Sequence, residues 1–301
     1  MDPVLSLNNI TKFYGSIRAL HNVSFDVPRG TVFGVLGPNG SGKTTLLGII
    51  MNVLRSNGGH YSWFGEKTTS EKQRQQIGTL LETPNFYHYL SGERNLQIAA
   101  AIKTHGKKDI PKVLDMVKLT QRKNSKFSTY SLGMKQRLAI ASTLLGDPSV
   151  LVLDEPTNGL DPVGIAETRE LIRTLAKNGK TIILASHLLD EVEKVCTHVA
   201  ILQKGELITA GDVNLVLVNE ESVEIGSVNL QQLESVIRAM PGVSQVKQVA
   251  GRLQIIFEKE TMDLEKINQF CFEKGIILNH LQLRKKSLET KFIEMTNSSS
   301  D

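Results

Sequence analysis

The chain has 301 residues, 40% hydrophobic and 22% charged, and 35 Lys and Arg against 31 Asp and Glu give a formal charge of +4. This excludes general disorder and a disulfide-stapled miniprotein, and so mild an excess is no argument for nucleic acid. The distant Cys196 and Cys271 read as reduced thiols, the first residues lack a signal-peptide pattern, and no apolar run nears the ~20 residues of a membrane span, so a membrane role has to come through a partner.

In chain order, Val32–Leu36 is a short, β-branched, nearly continuous apolar run, as are 150–153, 181–185 and 199–202. Such runs predict strands of a parallel sheet covered on both faces. Helical patterns lie between them at 44–54, 137–145, 165–177 and 188–195, so the first two thirds read as α/β. Residues 91–130 carry no strand signal and read as mainly helical. From Lys103 to Lys126 there are eight Lys or Arg against two Asp. This is a solvated helical face, or else a contact for anionic lipid or an acidic partner. Near 215 the pattern changes to strand, helix, strand, strand, helix, strand, which predicts a small ferredoxin-like α+β domain over 217–296, followed by a polar tail at 297–301.

The first chemical motif is Gly37-Pro38-Asn39-Gly40-Ser41-Gly42-Lys43-Thr44, followed by Thr45, between the first of those strands and its helix. Glycines let backbone N–H groups wrap a phosphate, and a helix N-terminus adds partial positive charge. Lys43 supplies a full charge to the terminal phosphates and the Thr44 hydroxyl suits Mg²⁺. The second motif ends the 150–153 strand with Asp154 and Glu155. Asp154 suits Mg²⁺ and Glu155 suits the polarising of an attacking water; the plainer reading is an acidic pair that caps the next helix. His187, after the 181–185 strand, reads on its own as a capping or core histidine, and Tyr14 as a strand-edge tyrosine.

Together with Ser131-Leu132-Gly133-Met134 and Asn158-Gly159-Leu160-Asp161, these motifs occur in an order that resembles the ATP-binding subunits of ABC transporters over about residues 4–212. The resemblance implies a P-loop cassette over 1–216 with a helical subdomain at about 86–140. It implies ATP and Mg²⁺ as cofactors, and two cassettes closing head to tail around ATP. Ser131 and the Gly133 N–H would meet the γ-phosphate of the partner cassette, Asp161 would link the subunits, and His187 would hold the γ-phosphate and position Glu155. Lys43, Glu155 and His187 would be the catalytic set, and Tyr14 would stack on adenine. The resemblance further implies a separately encoded membrane permease, a homodimer or heterodimer at the inner face of the cell membrane, and no nucleic acid. A soluble ABC ATPase of translation or DNA maintenance is the alternative. It is opposed by the single cassette and the lack of sustained heptads.

The pattern departs from the family in three places. Glu82 stands where a Gln is usual, Met134 replaces the signature Gln, and Asn158-Gly159 replaces a Ser-Ala pair. An added charge at ~5 Å in an effective dielectric near ~20 changes the energy by roughly 3 kcal/mol, so Glu82 is expected on the metal side or held back until closure. A Glu there is similar to bacitracin- and lantibiotic-type exporters, and the 217–296 region with Ser287 to Phe292 is similar to the appendage of ABC-2-type export ATPases.

Overall fold

Strongly apolar, β-branched segments such as Val32–Leu36 are buried at every position, which fixes them at the centre of a sheet with helices on both sides. The computed structural model describes residues 2–66, 70–81, 85–217, 222–257 and 263–284. The chain divides into two units, Met1–Val213 and Asn214–Asp301. In order, the first comprises β1 (Leu5–Tyr14), β2 (Ile17–Val27), β3 (Val32–Leu36), α1 (Lys43–Ile50), β4 (Gly58–Trp63), α2 (Glu71–Gln75), β5 (Ile77–Leu80) and α3 (Gly92–Lys103). It continues with α4 (Ile110–Met116), α5 (Leu132–Thr143), β6 (Val150–Asp154), α6 (Pro162–Lys177), β7 (Thr181–Ser186), α7 (Leu189–Glu193), β8 (His198–Gln203) and β9 (Glu206–Asp212). The helix α8 (Val213–Leu217) follows at the join.

Six strands form the central sheet in the order β5-β6-β7-β3-β8-β9. Every neighbouring pair is parallel except β9, which runs antiparallel to β8 at one edge. A second, antiparallel sheet has the order β2-β1-β4. One hydrophobic core joins Leu5, Leu7, Ile10 and Leu20 of the small sheet to Leu46, Leu47 and Ile49 of α1 and to Val35 and Val152 of the large one. The Trp63 indole is fully buried there and donates its N–H to Ile50 O at 2.8 Å, so its one polar atom is satisfied.

All four helices read from the sequence differ in extent: α6 begins at Pro162 instead of 165 and α7 spans Leu189–Glu193 instead of 188–195, while α1 and α5 depart in ways with a local cause. The α1 helix ends at Ile50 instead of 54, because Asn52 takes a left-handed conformation (φ 58°) and the N–H groups of Val53 and Leu54 turn back to Gly48 O. The α5 helix starts at Leu132, five residues before the apolar periodicity becomes visible. Its start is set by Ser131, whose hydroxyl accepts the Met134 N–H at 3.2 Å. In the 91–130 region, α3 and α4 pack with α5 over buried Leu96, Ala100, Val113, Leu114 and Leu138.

The second unit contains β10 (Ser222–Ser227), α9 (Leu230–Arg238), β11 (Val243–Val249), β12 (Arg252–Phe257), α10 (Leu264–Glu273) and β13 (Leu278–Arg284). Its antiparallel sheet has the order β11-β12-β10-β13, and its core is Val223, Ile225, Leu233, Ile237, Leu253, Ile255, Ile267 and Cys271. Ser287 to Phe292 and the 297–301 tail lie outside the described residues.

Candidate functional site

The loop between β3 and α1 runs off the carboxyl end of a central strand, where open α/β sheets bind ligands. Its glycines are there for steric reasons. A side chain on Gly37 would strike Leu202 O and the Ser41 hydroxyl. One on Gly42, at φ 104°, would lie 2.7 Å from Ala19 O. The second approach pins the loop against β2. Ser41 Oγ, 1% exposed, is buried without a hydrogen-bond partner among the described residues. A buried hydroxyl in this position fits a loop built to receive a polar ligand.

Lys43 opens α1 and is 6% exposed. Its ammonium donates to Gly37 O at 2.9 Å and Pro38 O at 3.2 Å, folded back on the loop itself. It also lies 3.6 Å from Glu155 Oε1. Glu155 Oε2 in turn lies 2.9 Å from His187 Nδ1, which donates when that nitrogen carries the proton. A lysine, a carboxylate and an imidazole from three separate strand ends therefore converge at one sheet edge. Glu155 takes φ 45°, a conformation that costs a non-glycine residue about 1 kcal/mol. Its N–H donates to Ala185 O at 3.0 Å, and its carbonyl accepts from Asn158 N at 3.1 Å. The surrounding bonds thus hold a strained backbone that aims the carboxylate at Lys43 and His187.

Asp154 closes β6, is 5% exposed, and pairs in register with Ala185 of β7. Thr44 is exposed and Thr45 half-buried at the start of α1. The Thr44 hydroxyl and the Asp154 carboxylate are hard oxygen donors of the kind Mg²⁺ prefers, and Mg²⁺ completes its shell with phosphate oxygens and water. Among the described residues no three His, Cys, Asp or Glu side chains form an all-protein cage, so a metal here would need a ligand's oxygens as well.

Tyr14 lies at the tip of the β1–β2 hairpin, 46% exposed, with Lys12 Nζ 5.1 Å above its ring. Three residues after its partner Ile17, the same hairpin touches Gly42 through Leu20. Ser131 and Gly133 sit at the opposite end of α5 from the sheet-facing residues. Leu132 between them is 50% exposed, and a Cβ on Gly133 would meet nothing within 4 Å. The Asp161 carboxylate caps α6 by accepting Gly164 N–H at 2.9 Å, so one of its oxygens has a local structural partner. Glu82 lies outside the described residues.

Three residues join the arrangement without a chemical role in the sequence reading. Asn95, 2% exposed, accepts Tyr87 N–H at 2.8 Å and donates to Tyr87 O and Ser91 O, which clamps the loop before α3. Lys103 donates to Ser142 O at 2.7 Å, an end carbonyl of α5, and burial pulls its ammonium down to about 8. Arg137 reaches Glu167 at 3.6 Å and Val117 O at 3.3 Å, tying α5 to α6 and to the end of α4. Only a polar residue breaking an apolar stripe could have flagged Asn95; the two cations gave no signal, because their partners are distant backbone and side-chain oxygens.

A glycine-wrapped phosphate loop on a parallel sheet, with a strand-end carboxylate pair facing its lysine, defines a P-loop nucleotide hydrolase. Residues 20–158 match the family described as ABC transporter. An ABC transporter ATP-binding protein of Bacillus subtilis (strain 168), YhcH, is 36% identical over all of this chain and 98% of its own length. The bacitracin transport ATP-binding protein BcrA of Enterococcus faecalis is 39% identical over 69% of each chain. Among solved structures, the dimeric ATP-binding cassette MJ0796 bound to ADP and Pi is 27% identical, with a TM-score of 0.63 over 69% of this chain and 98% of its own. The chain belongs to the ATP-binding, ATP-hydrolysing subunits of ABC transporters. Among the described residues no helix is long and apolar enough to cross a membrane.

Proposed function

We propose that this chain is one of two cassettes that clamp Mg²⁺-ATP between them to drive export through a separate membrane permease. The observation that carries the catalytic half is the Lys43–Glu155–His187 chain, at 3.6 and 2.9 Å. Gly37 to Thr45 wrap the triphosphate, and Lys43 exchanges its loop carbonyls for phosphate oxygens. Thr44 and Asp154 hold Mg²⁺, which offsets phosphate charge. Glu155 accepts the proton of the attacking water, and His187 orients that carboxylate and reaches the γ-phosphate. Tyr14 offers a ring face for adenine. Glu82 works from the metal side or is held back until the cassettes close.

The exposed start of α5 supports the dimeric half. Ser131 uses its hydroxyl oxygen as the cap acceptor and keeps its O–H as a donor, and the space at Gly133 is open to an anion from a second copy. Asp161 contributes to the contact between cassettes. Export is favoured over import by the likeness to BcrA and to the lantibiotic transport ATP-binding protein SrtF of Streptococcus pyogenes, 36% identical over 68% of this chain. The second unit, a ferredoxin-like accessory domain, serves contacts with a partner or a second copy. Measuring hydrolysis rate against protein concentration tests the reading. It predicts a rate per chain that rises with concentration, and a rate independent of concentration down to full dilution would refute the shared site.

A further inference from the structure

His187 completes the chain from Lys43 through Glu155, yet the backbone that carries it is irregular. It lies between the end of β7 and the start of α7, where the Leu188 N–H donates to the Ser186 hydroxyl at 3.0 Å and no side chain caps the helix. With five residues, α7 is too short to hold its shape unaided. It is gripped from α6. Arg169 donates from Nε and Nη2 to one oxygen of Glu191, in the first turn of α7, at 3.0 and 2.8 Å. The other Glu191 oxygen accepts from Lys194 at 3.1 Å. One turn further along α6, Arg173 donates to Lys194 O at 2.6 Å, at the carboxyl end of α7. The side chains of Arg169 and Glu191 are 23% and 20% exposed, so the pair is shielded from most of the solvent. Both line a cavity of about 20 Å³, room for about one water. The same cavity is lined by Pro156 and Thr157, the two residues after Glu155, and by Ser186, the residue before His187.

We propose that Arg169 is a positioning residue for ATP hydrolysis: through Glu191 it fixes α7 on α6 and so holds the His187 imidazole on the Glu155 carboxylate. That role rests on the reading of Glu155 as proton acceptor and His187 as the group that orients it, and it adds what keeps the imidazole in place. The contact is made four residues beyond His187, in the first turn of the helix that His187 leads into. Close packing around so small a cavity leaves little slack between this contact and the residues that flank Glu155 and His187. Two charge-assisted bonds from a planar guanidinium are directional, so they set the rotation of α7 as well as its distance from α6. Arg173 meets a backbone carbonyl at the far end of α7 and limits its distance there. A shift of ~1 Å at the imidazole would break its 2.9 Å bond to Glu155, and misplacement on that scale costs up to ~10²-fold in rate.

The test measures single-turnover phosphate release and ATP affinity in the full chain and in Arg169→Met, Arg169→Lys, Glu191→Gln, His187→Ala and the double variant R169M/H187A. Arg169→Met should lower the rate at saturating ATP about tenfold and leave ATP affinity unchanged, since the pair touches no part of the phosphate loop. Glu191→Gln keeps the shape and loses the charge, so it should lower the rate less, in the same direction. Arg169→Lys keeps the charge and should recover most of the loss. In the His187→Ala chain, adding Arg169→Met should cost nothing more, because the imidazole it positions is gone; a merely stabilising role would repeat the full loss there. If urea titration shows that Arg169→Met does not fold, Glu191→Gln takes its place in the double variant. Unchanged rates in Arg169→Met and Glu191→Gln, a loss repeated in full without His187, or a parallel fall in ATP affinity would overturn the proposal. Slow hydrolysis by His187→Ala beside normal hydrolysis by Arg169→Met refutes this role alone and leaves the reading of the site intact. Normal hydrolysis by His187→Ala refutes that reading, and the role of Arg169 with it.

Discussion

The phosphate loop and the start of α5 both lie at a helix N-terminus, yet they are built in opposite ways. The loop is enclosed: Lys43 is 6% exposed, Ser41 is 1% exposed, and Gly37 and Gly42 are pressed against backbone from β8 and β2. At the start of α5, Leu132 is 50% exposed and the space beside Gly133 is open. One region is a finished pocket whose groups already bond one another, and the other is half a pocket that needs something brought to it. On the proposed reading, a cassette divided in this way binds nucleotide alone and hydrolyses it in company.

That contrast can be broken from either side. The largest effect is expected from Glu155→Gln, which removes the proton acceptor and keeps the shape. Hydrolysis should fall by about 10³-fold while ATP binding survives, as single-turnover assays with phosphate release would show. Gly133→Asp should reduce hydrolysis by about 10²-fold through charge placed before the γ-phosphate. Because no described atom beyond its own helical turn lies within 4 Å of that Cβ, its folding stability should change by no more than about 0.5 kcal/mol in urea titrations. Lys43→Ala, on the enclosed side, should weaken ATP by about 10²-fold in calorimetry, and retained micromolar affinity would contradict the phosphate assignment.

Two smaller effects sharpen the picture of the helical region. Asn95→Ala removes three hydrogen bonds from a buried side chain to the loop before α3 and should cost about 2 kcal/mol of stability without altering ATP affinity. For Lys103 the sign follows from burial, which lowers the folded-state value to about 8 from 10.5, so the folded chain sheds this proton first. Stability therefore gains as pH rises from about 8 toward 10.5. Lys103→Met should remove a gain on the order of 1 kcal/mol, read as the difference between the two proteins' urea midpoints at neutral and alkaline pH.

The legible parts of this molecule are those in which chemistry and local structure coincide. Val32–Leu36 is a strand with the expected bounds, because a run of apolar residues buried on both faces leaves no other choice. The motif order led to the family because each motif is short, contiguous and demanded by phosphate chemistry. The antiparallel sheet β2-β1-β4 left no such trace. Its strands mix buried Leu5, Leu7 and Ile10 with exposed polar residues, and its β1–β4 ladder joins residues dozens of positions apart. Illegible for the same reason was Lys103, whose acceptor is a backbone carbonyl 39 residues away. Nor could spacing alone disclose the φ of 45° at Glu155, which depends on bonds to a neighbouring strand.

The central claim is that a complete site forms only between two copies. Sedimentation equilibrium of the Glu155→Gln chain with and without Mg²⁺-ATP tests it most directly. The account predicts a species of 33.3 kDa without nucleotide and one of twice that mass with it, the latter abolished by adding Gly133→Asp. A Glu155→Gln chain that binds ATP tightly yet stays at the single-chain mass at every concentration would contradict it.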